Sequence, residues 1–122
     1  SLLDMLSSPH ALYLVAILDG ELIGYCGTRM VMDEGDILRV AIREDFRGRK
    51  IGTALLRYLM DHTPEIVSWN LDVREHNEPA IGLYRKFGFV PVGKRKRYYH
   101  HPEEDAILMQ RIRKTEPEEK EE

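Results

Sequence analysis

The order of patterned segments predicts an α/β domain built on one mixed sheet. Three observations lead there. A hairpin signal, Asp19-Gly20, separates two apolar runs; two stretches carry helical apolar spacing; and strand-like runs stand before and after each of these. At 122 residues the chain is long enough for one hydrophobic core and too short for two. Residues 1–115 are expected to form that domain. Residues 116–122, Glu-Pro-Glu-Glu-Lys-Glu-Glu, can bury nothing and read as a disordered acidic tail.

In chain order, Leu2, Leu3, Met5 and Leu6 are crowded enough for a short helix that Pro9 would end. Residues 12–18 are continuously apolar and rich in strand formers, and Asp19-Gly20 turns them into a second strand from Glu21 to about Met32. Asp33-Glu34-Gly35-Asp36 reads as its closing turn, and residues 37–42 as a third, largely buried strand. Ile51, Ala54, Leu55, Tyr58 and Leu59 stand at helical spacing, with Pro64 as the stop. Residues 66–73 are strand-like again. Asn77-Glu78-Pro79 then looks like a helix start, with Asn as cap and Pro in the first turn. Ala80, Ile81, Tyr84 and Phe87 give this helix an apolar stripe, and Gly88 is placed to end it. Residues 89–92 and 106–112 read as the last two strands, separated by a basic and aromatic stretch over 94–101.

Composition narrows the function. A net charge of -3 argues against a general nucleic-acid binder. No apolar run approaches the roughly 20 residues needed to span a bilayer, and the first residues show no signal-peptide pattern. Cys26 is the single cysteine, so no internal disulfide can form and a cytoplasmic setting fits best. His100 and His101 lack partners at zinc-ligand spacing, and no metal is expected.

The chemistry concentrates where the third strand meets the first amphipathic helix. Arg47-Gly48-Arg49-Lys50-Ile51-Gly52-Thr53 joins them through a short loop bearing Arg and Gly. N–H groups at a helix start have no partner within the helix, and the dipole there favours negative charge. A pyrophosphate could sit on such a turn, although a basic, glycine-containing turn is also a common connector. The Gly-Lys-Ser/Thr ending of a Walker loop is absent, as is the G-x-G-x-x-G dinucleotide pattern.

Arg47-Gly48-Arg49-Lys50-Ile51-Gly52 resembles motif A of the GNAT superfamily of N-acetyltransferases, Arg/Gln-x-x-Gly-x-Gly/Ala, with Lys50 where the first Gly is usual. Leu71-Asp72-Val73-Arg74 followed by Asn77 and Ala80-Ile81-Gly82-Leu83-Tyr84-Arg85-Lys86-Phe87-Gly88-Phe89 is similar to the second signature of that family. Arg97-Tyr98-Tyr99, then Glu104-Asp105-Ala106-Ile107-Leu108-Met109, is similar to the ending of the RimI branch. The resemblance implies a mixed, mostly antiparallel sheet flanked by helices. The first strand and helix of the family have no counterpart before Leu2.

The resemblance also implies site roles. Acetyl-CoA would be the cosubstrate, its pyrophosphate on Arg47, Gly48, Arg49, Lys50, Ile51, Gly52 and Thr53. Its pantetheine arm would run along a splayed third strand at Val40, Ala41 and Ile42, with Asn77 beside the arm. Asn77 equally reads as a plain helix cap. Tyr84 would be the general acid that protonates the leaving thiolate; without the motif it would read as a core aromatic. Asp72 stands where RimI-type enzymes carry a Glu proposed as base, one methylene shorter, or else it is a strand-end carboxylate paired with an Arg. Glu34, Tyr98 and Tyr99 are candidates for the acceptor side, and the run 94–97 is either a solvated face or an attraction for an acidic acceptor or for ribosomal RNA. Cys26 has no base beside it in sequence, which disfavours a covalent thiol route.

What the branch implies as acceptor is a protein N-terminus, a small-subunit ribosomal protein included; from composition, no membrane and no direct nucleic-acid partner are expected. Small amines, antibiotics and lysine side chains stay open as acceptors, and so does a non-catalytic acyl-CoA-binding subunit.

Overall fold

The computed structural model describes residues 10–113. The helix expected at residues 2–6 and the acidic tail lie outside the described residues. Six strands and two helices follow in the order β1 (Ala11–Leu18), β2 (Glu21–Val31), β3 (Glu34–Ile42), α1 (Ile51–His62), β4 (Ser68–Arg74), α2 (Glu78–Lys86), β5 (Val90–Tyr99) and β6 (Glu104–Ile112). The strands form one sheet in the order β1-β2-β3-β4-β6-β5. Every pairing is antiparallel except β3–β4, so the sheet is mixed and mostly antiparallel as expected. No helix among the described residues is long and apolar enough to cross a membrane.

Both helices draw on one face of the sheet. Along β4, Trp69, Leu71 and Val73 are buried, while Asn70 and Asp72 between them are not. That buried row joins Cys26, Ile37 and Met109 from neighbouring strands, Leu55, Leu56, Leu59 and Met60 from α1, and Tyr84 from α2. Tyr58, expected on the apolar stripe, is exposed instead and stacks on His62 at 3.8 Å between ring centres. Leu56 and Met60 take the core positions, so the stripe is rotated away from Tyr58.

Local signals hold where backbone chemistry is strong. Asp19 and Gly20 both have positive φ, 51° and 78°, as a tight hairpin turn requires. Asn77 Oδ1 accepts from the Ala80 N–H at 3.2 Å, capping α2. At the other end Gly88 has φ 88° and its N–H donates to Arg85 O at 3.0 Å, while the Phe89 N–H donates to Tyr84 O at 3.1 Å. That pair of bonds is a Schellman cap.

Two boundaries and one burial pattern differ from the sequence reading. The second hairpin turns at Met32-Asp33, with Met32 at φ 56°, and Glu34 and Gly35 already belong to β3. Gly35 is there for space rather than for turning: a Cβ on it would lie 2.5 Å from the Trp69 ring. Residues 37–42 are less buried than expected, since only Ile37 is in the core and residues 40–42 are half-buried. Finally, β5 runs on through Tyr99, so the basic stretch lies in a strand. At the sheet edge both faces of β5 meet solvent, which lets charged side chains occupy successive positions.

The Gly35–Trp69 contact gives a stability prediction. Trp69 is fully buried and its indole N–H finds no acceptor among the described residues, so packing alone holds it. Gly35→Ala should therefore cost about 1–3 kcal/mol through overpacking. A thermal scan should show the midpoint falling by roughly 4 °C per kcal/mol. An unchanged midpoint would mean that the ring has room to move.

Candidate active site

The parallel pairing of β3 with β4 spans only Glu34–Ser68 to Asp36–Asn70. Beyond Asp36 the strands part. A register slip between Gly27 and Thr28 of β2 leaves Leu38 without a partner on that strand, and such a bulge bends the chain away from its neighbour. The backbone of Val40, Ala41 and Ile42 therefore bonds β2 on one side and borders a gap on the other.

A cavity of about 710 Å³ fills the helix side of this gap. Val40, Ala41, Ile42, Arg47, Gly48, Lys50, Ile51, Gly52, Thr53, Asn77 and Tyr84 all line it. Arg49 does not; its guanidinium lies over the Phe46 ring, 4.8 Å from the centroid, with Arg43 4.7 Å away from the same ring. Arg43 is itself held by Asp45 at 2.7 Å and Glu21 at 2.9 Å, and its N–H donates to Ile23 O, which pins the loop to β2. Phe46 and Leu83 also line the cavity and were not singled out from sequence. Only a family pattern that marked those two places could have flagged them, because each reads as an ordinary apolar residue.

The loop itself suits an anion. Gly48 has φ 79°, and Lys50 takes the left-handed region with φ 62° and ψ 25° as the residue just before α1. Lys50 thus adopts the conformation that a Gly would adopt most easily. The N–H groups of Ile51, Gly52 and Thr53 have no carbonyl one turn behind them within the helix, and the first bond back to the loop is Ala54 N–H to Lys50 O at 3.1 Å. Gly52 keeps α1 close to α2: a Cβ there would lie 3.1 Å from Leu83 Cδ2. Among the described residues no side chain caps the helix start, so the cavity meets N–H donors without partners there and the positive end of the dipole.

Tyr84 is almost fully buried, its ring tilted against Phe89 at 5.7 Å. Its hydroxyl makes no hydrogen bond among the described residues, and the residue lines the cavity. Burial holds its pKa well above that of an ordinary phenol. The nearby Cys26 thiol is pushed up to about 12 by the same cause. Fully buried and protonated at neutral pH, Cys26 is not a nucleophile.

A second cavity, about 390 Å³, lies on the other side of the gap. Asp72, on the face of β4 opposite Leu71 and Val73, lines it together with Asp36, Leu38, Asn70, Val92 and Arg95. The Asp72 carboxylate stands 3.7 Å from Arg95 Nε, and Gln110 Nε2 donates to Asn70 Oδ1 at 3.0 Å beside it. Tyr84 and Asp72 thus face the gap from opposite sides.

The remaining candidates spread out. Glu34 is exposed at the start of β3 and lines neither cavity, whereas Asp36, two residues along the strand, lines the second. Tyr98 and Tyr99 close β5, in a strand rather than a loop, with their rings edge-on at 5.1 Å. Tyr99 is half-buried, and its hydroxyl pKa is raised by that burial first and then by the Asp72 carboxylate. The basic run is largely neutralised by acids: Lys94 by Glu75 at 2.7 Å, Arg95 by Asp72 and Arg97 by Glu103 at 3.8 Å. Among the described residues, no three His, Cys, Asp or Glu side chains are grouped to hold a metal ion.

Comparison with known proteins fits this geometry. The model of the acetyltransferase (GNAT) family matches residues 1–89. A Bacillus subtilis (strain 168) protein provisionally named as a ribosomal protein bS18-alanine N-acetyltransferase is 44% identical over 108 residues, covering 87% of this chain and 72% of its own. The N-alpha-acetyltransferase RimI of Mycobacterium tuberculosis is 39% identical, over 87% of this chain and 69% of its own. Among solved structures, the ribosomal-protein-S18-alanine N-acetyltransferase from Escherichia coli superposes with a TM-score of 0.87 at 27% identity, over 97% of this chain and 79% of that one.

Proposed function

The chain belongs to the acetyltransferase (GNAT) family and is an acetyl-CoA-dependent N-acetyltransferase, and from that premise we propose that it acetylates the N-terminal α-amine of a protein. The observation that carries the acceptor is the pair of relatives at 44% and 39% identity, both named for N-terminal or alanine N-acetylation and both matched over 87% of this chain. A ribosomal protein is the acceptor that the first of these names favours, and a cytoplasmic setting goes with it.

In this reading the pyrophosphate of acetyl-CoA sits on the N–H groups of residues 51–53 with Arg47 and Lys50 beside it. The pantetheine arm pairs with the free backbone of Val40, Ala41 and Ile42, and Asn77, its Oδ1 used as the helix cap, offers its NH₂ group to the arm. The amine enters from the second cavity and attacks the thioester carbonyl through the gap. Its proton leaves toward Asp72, through a water since the Asp is short, and Tyr84 delivers a proton to the departing sulfur. Tyr98 and Tyr99 border the acceptor side, and Glu34 stands further out along the same strand as Asp36. No covalent enzyme intermediate is needed, in keeping with the buried, protonated Cys26.

The chemistry of the amine supports the same acceptor. An α-amine has a pKa near 7.8 and a lysine near 10.4, so at neutral pH the α-amine is about 300-fold more often neutral. A carboxylate that works only through water is thus a smaller handicap with an α-amine. Short peptides with free N-termini should turn over, while N-blocked counterparts containing lysine, and spermidine, should not. Initial rates by thiol release report this, and turnover confined to lysine or spermidine would refute the acceptor assignment.

A further inference from the structure

Arg74 closes β4, and its guanidinium is engaged on four sides. Nη1 donates to Pro102 O at 3.0 Å and to Glu104 Oε1 at 3.1 Å. Nη2 donates to His100 O at 3.4 Å, and the group lies 4.5 Å from the centre of the Tyr99 ring. The Glu104 side chain is only 13% exposed, and its second oxygen accepts from the His76 N–H at 2.8 Å. One ion pair therefore ties together the end of β4, the loop leading into α2 and the turn between β5 and β6. An exposed pair of this type would contribute little, but this one is partly buried and each partner has further hydrogen bonds.

Along β4, Arg74 alternates with the buried Val73 and so shares the face that carries Asn70 and Asp72, the acceptor side of the gap. Tyr99, on which Arg74 stacks, feels the charge of Asp72. None of Arg74, Tyr99 and Glu104 lines the cavity assigned to acetyl-CoA, and they stand beside the second cavity rather than in its lining. We propose that Arg74 is a positioning residue: with Glu104 it fixes the Tyr99 ring and the turn over residues 100–103 as the wall against which the acceptor peptide docks. Lysine could supply the charge, but not the planar fork that reaches two carbonyls and a carboxylate while lying on a ring.

This rests on the acceptor being a protein N-terminus, so wild-type turnover of a free-N-terminus peptide is measured first. Its absence would sink that reading and this one with it. Given turnover, Arg74→Ala should raise the peptide KM roughly tenfold or more, since small misplacements near a reacting centre are costly. Affinity for acetyl-CoA should stay within about twofold, and Arg74→Lys should restore only part of the loss. In a Tyr99→Ala background, Arg74→Ala should add less than about twofold, because its route of action is already gone. An unmoved peptide KM, an equal loss of acetyl-CoA affinity, or full additivity with Tyr99→Ala would each overturn the proposal while leaving the acceptor reading intact. If Arg74→Ala does not fold, Glu104→Gln gives the same comparison: it keeps the shape and an oxygen for the His76 N–H but removes the ion pair.

Discussion

Tyr84→Phe is expected to lower kcat at least about 30-fold, because positioned general acids commonly contribute roughly 100- to 10,000-fold. The fold should survive. The ring keeps its contact with Phe89, and the lost hydroxyl leaves no hydrogen-bonding partner stranded among the described residues. Acetyl-CoA affinity should change little, since one neutral hydroxyl contact is worth only about 1 kcal/mol net. The sign for pH follows: a phenol whose pKa is raised stays protonated through the whole neutral and mildly alkaline range. The wild-type rate should then climb with pH as the amine deprotonates, with no alkaline fall from loss of the acid. Stopped-flow or steady-state kcat against pH, with thermal unfolding alongside, checks both points. Near-full activity of the Phe variant would return Tyr84 to the core and turn attention to Tyr99.

Gly52→Asp should be the most damaging change to cosubstrate binding. Two effects act at that position. A Cβ meets Leu83 Cδ2 at 3.1 Å, which that flexible side chain can relieve by a few tenths of an ångström. The new carboxylate, by contrast, would stand where the phosphates are proposed to bind. Like charges about 4 Å apart cost about 1 kcal/mol in water and about 4 at a protein surface, or roughly 5- to 1000-fold in affinity. The helix itself should tolerate the Asp, since an acid in the first turn is favourable by about 0.3–1 kcal/mol. Lost binding without lost stability is the expected signature. Gly52→Asn separates crowding from charge, and calorimetry with CoA and with pantetheine separates phosphate from the rest. The Asp variant should lose CoA and keep pantetheine. If wild type binds pantetheine as tightly as CoA, the loop is no pyrophosphate site.

Where the sequence was legible, the reason is local. Asp19-Gly20, Asn77 and Gly88 each sit where the backbone demands a particular residue type, and each element end came out as read. The loop over residues 47–53 was legible through its pattern, even with Lys50 in place of Gly, because Lys50 adopts the left-handed backbone anyway. Gly35 misled because a glycine in an acidic tetrapeptide looks like a turn, and only the Trp69 ring explains it. The extent of β5 was hidden because a charge run in an edge strand looks like a solvated loop until its acids, on β4, the loop beyond it and β6, are in view. The gap between β3 and β4 leaves no trace in side chains, since it is a property of backbone pairing. Arg74 was visible only as part of a signature; its partners lie 25 to 30 positions away and meet it through the sheet.

The central claim is that the acetyl group goes to an α-amine. One peptide carrying both a free N-terminus and an internal lysine puts the two acceptors in direct competition. After incubation with this chain and acetyl-CoA near pH 7, tandem mass spectrometry locates the added acetyl group. The acetyl group is predicted on the N-terminal fragment ions, with the lysine unmodified and the Tyr84→Phe variant giving little product at either place. Acetyl on the lysine with the α-amine left free would contradict the account.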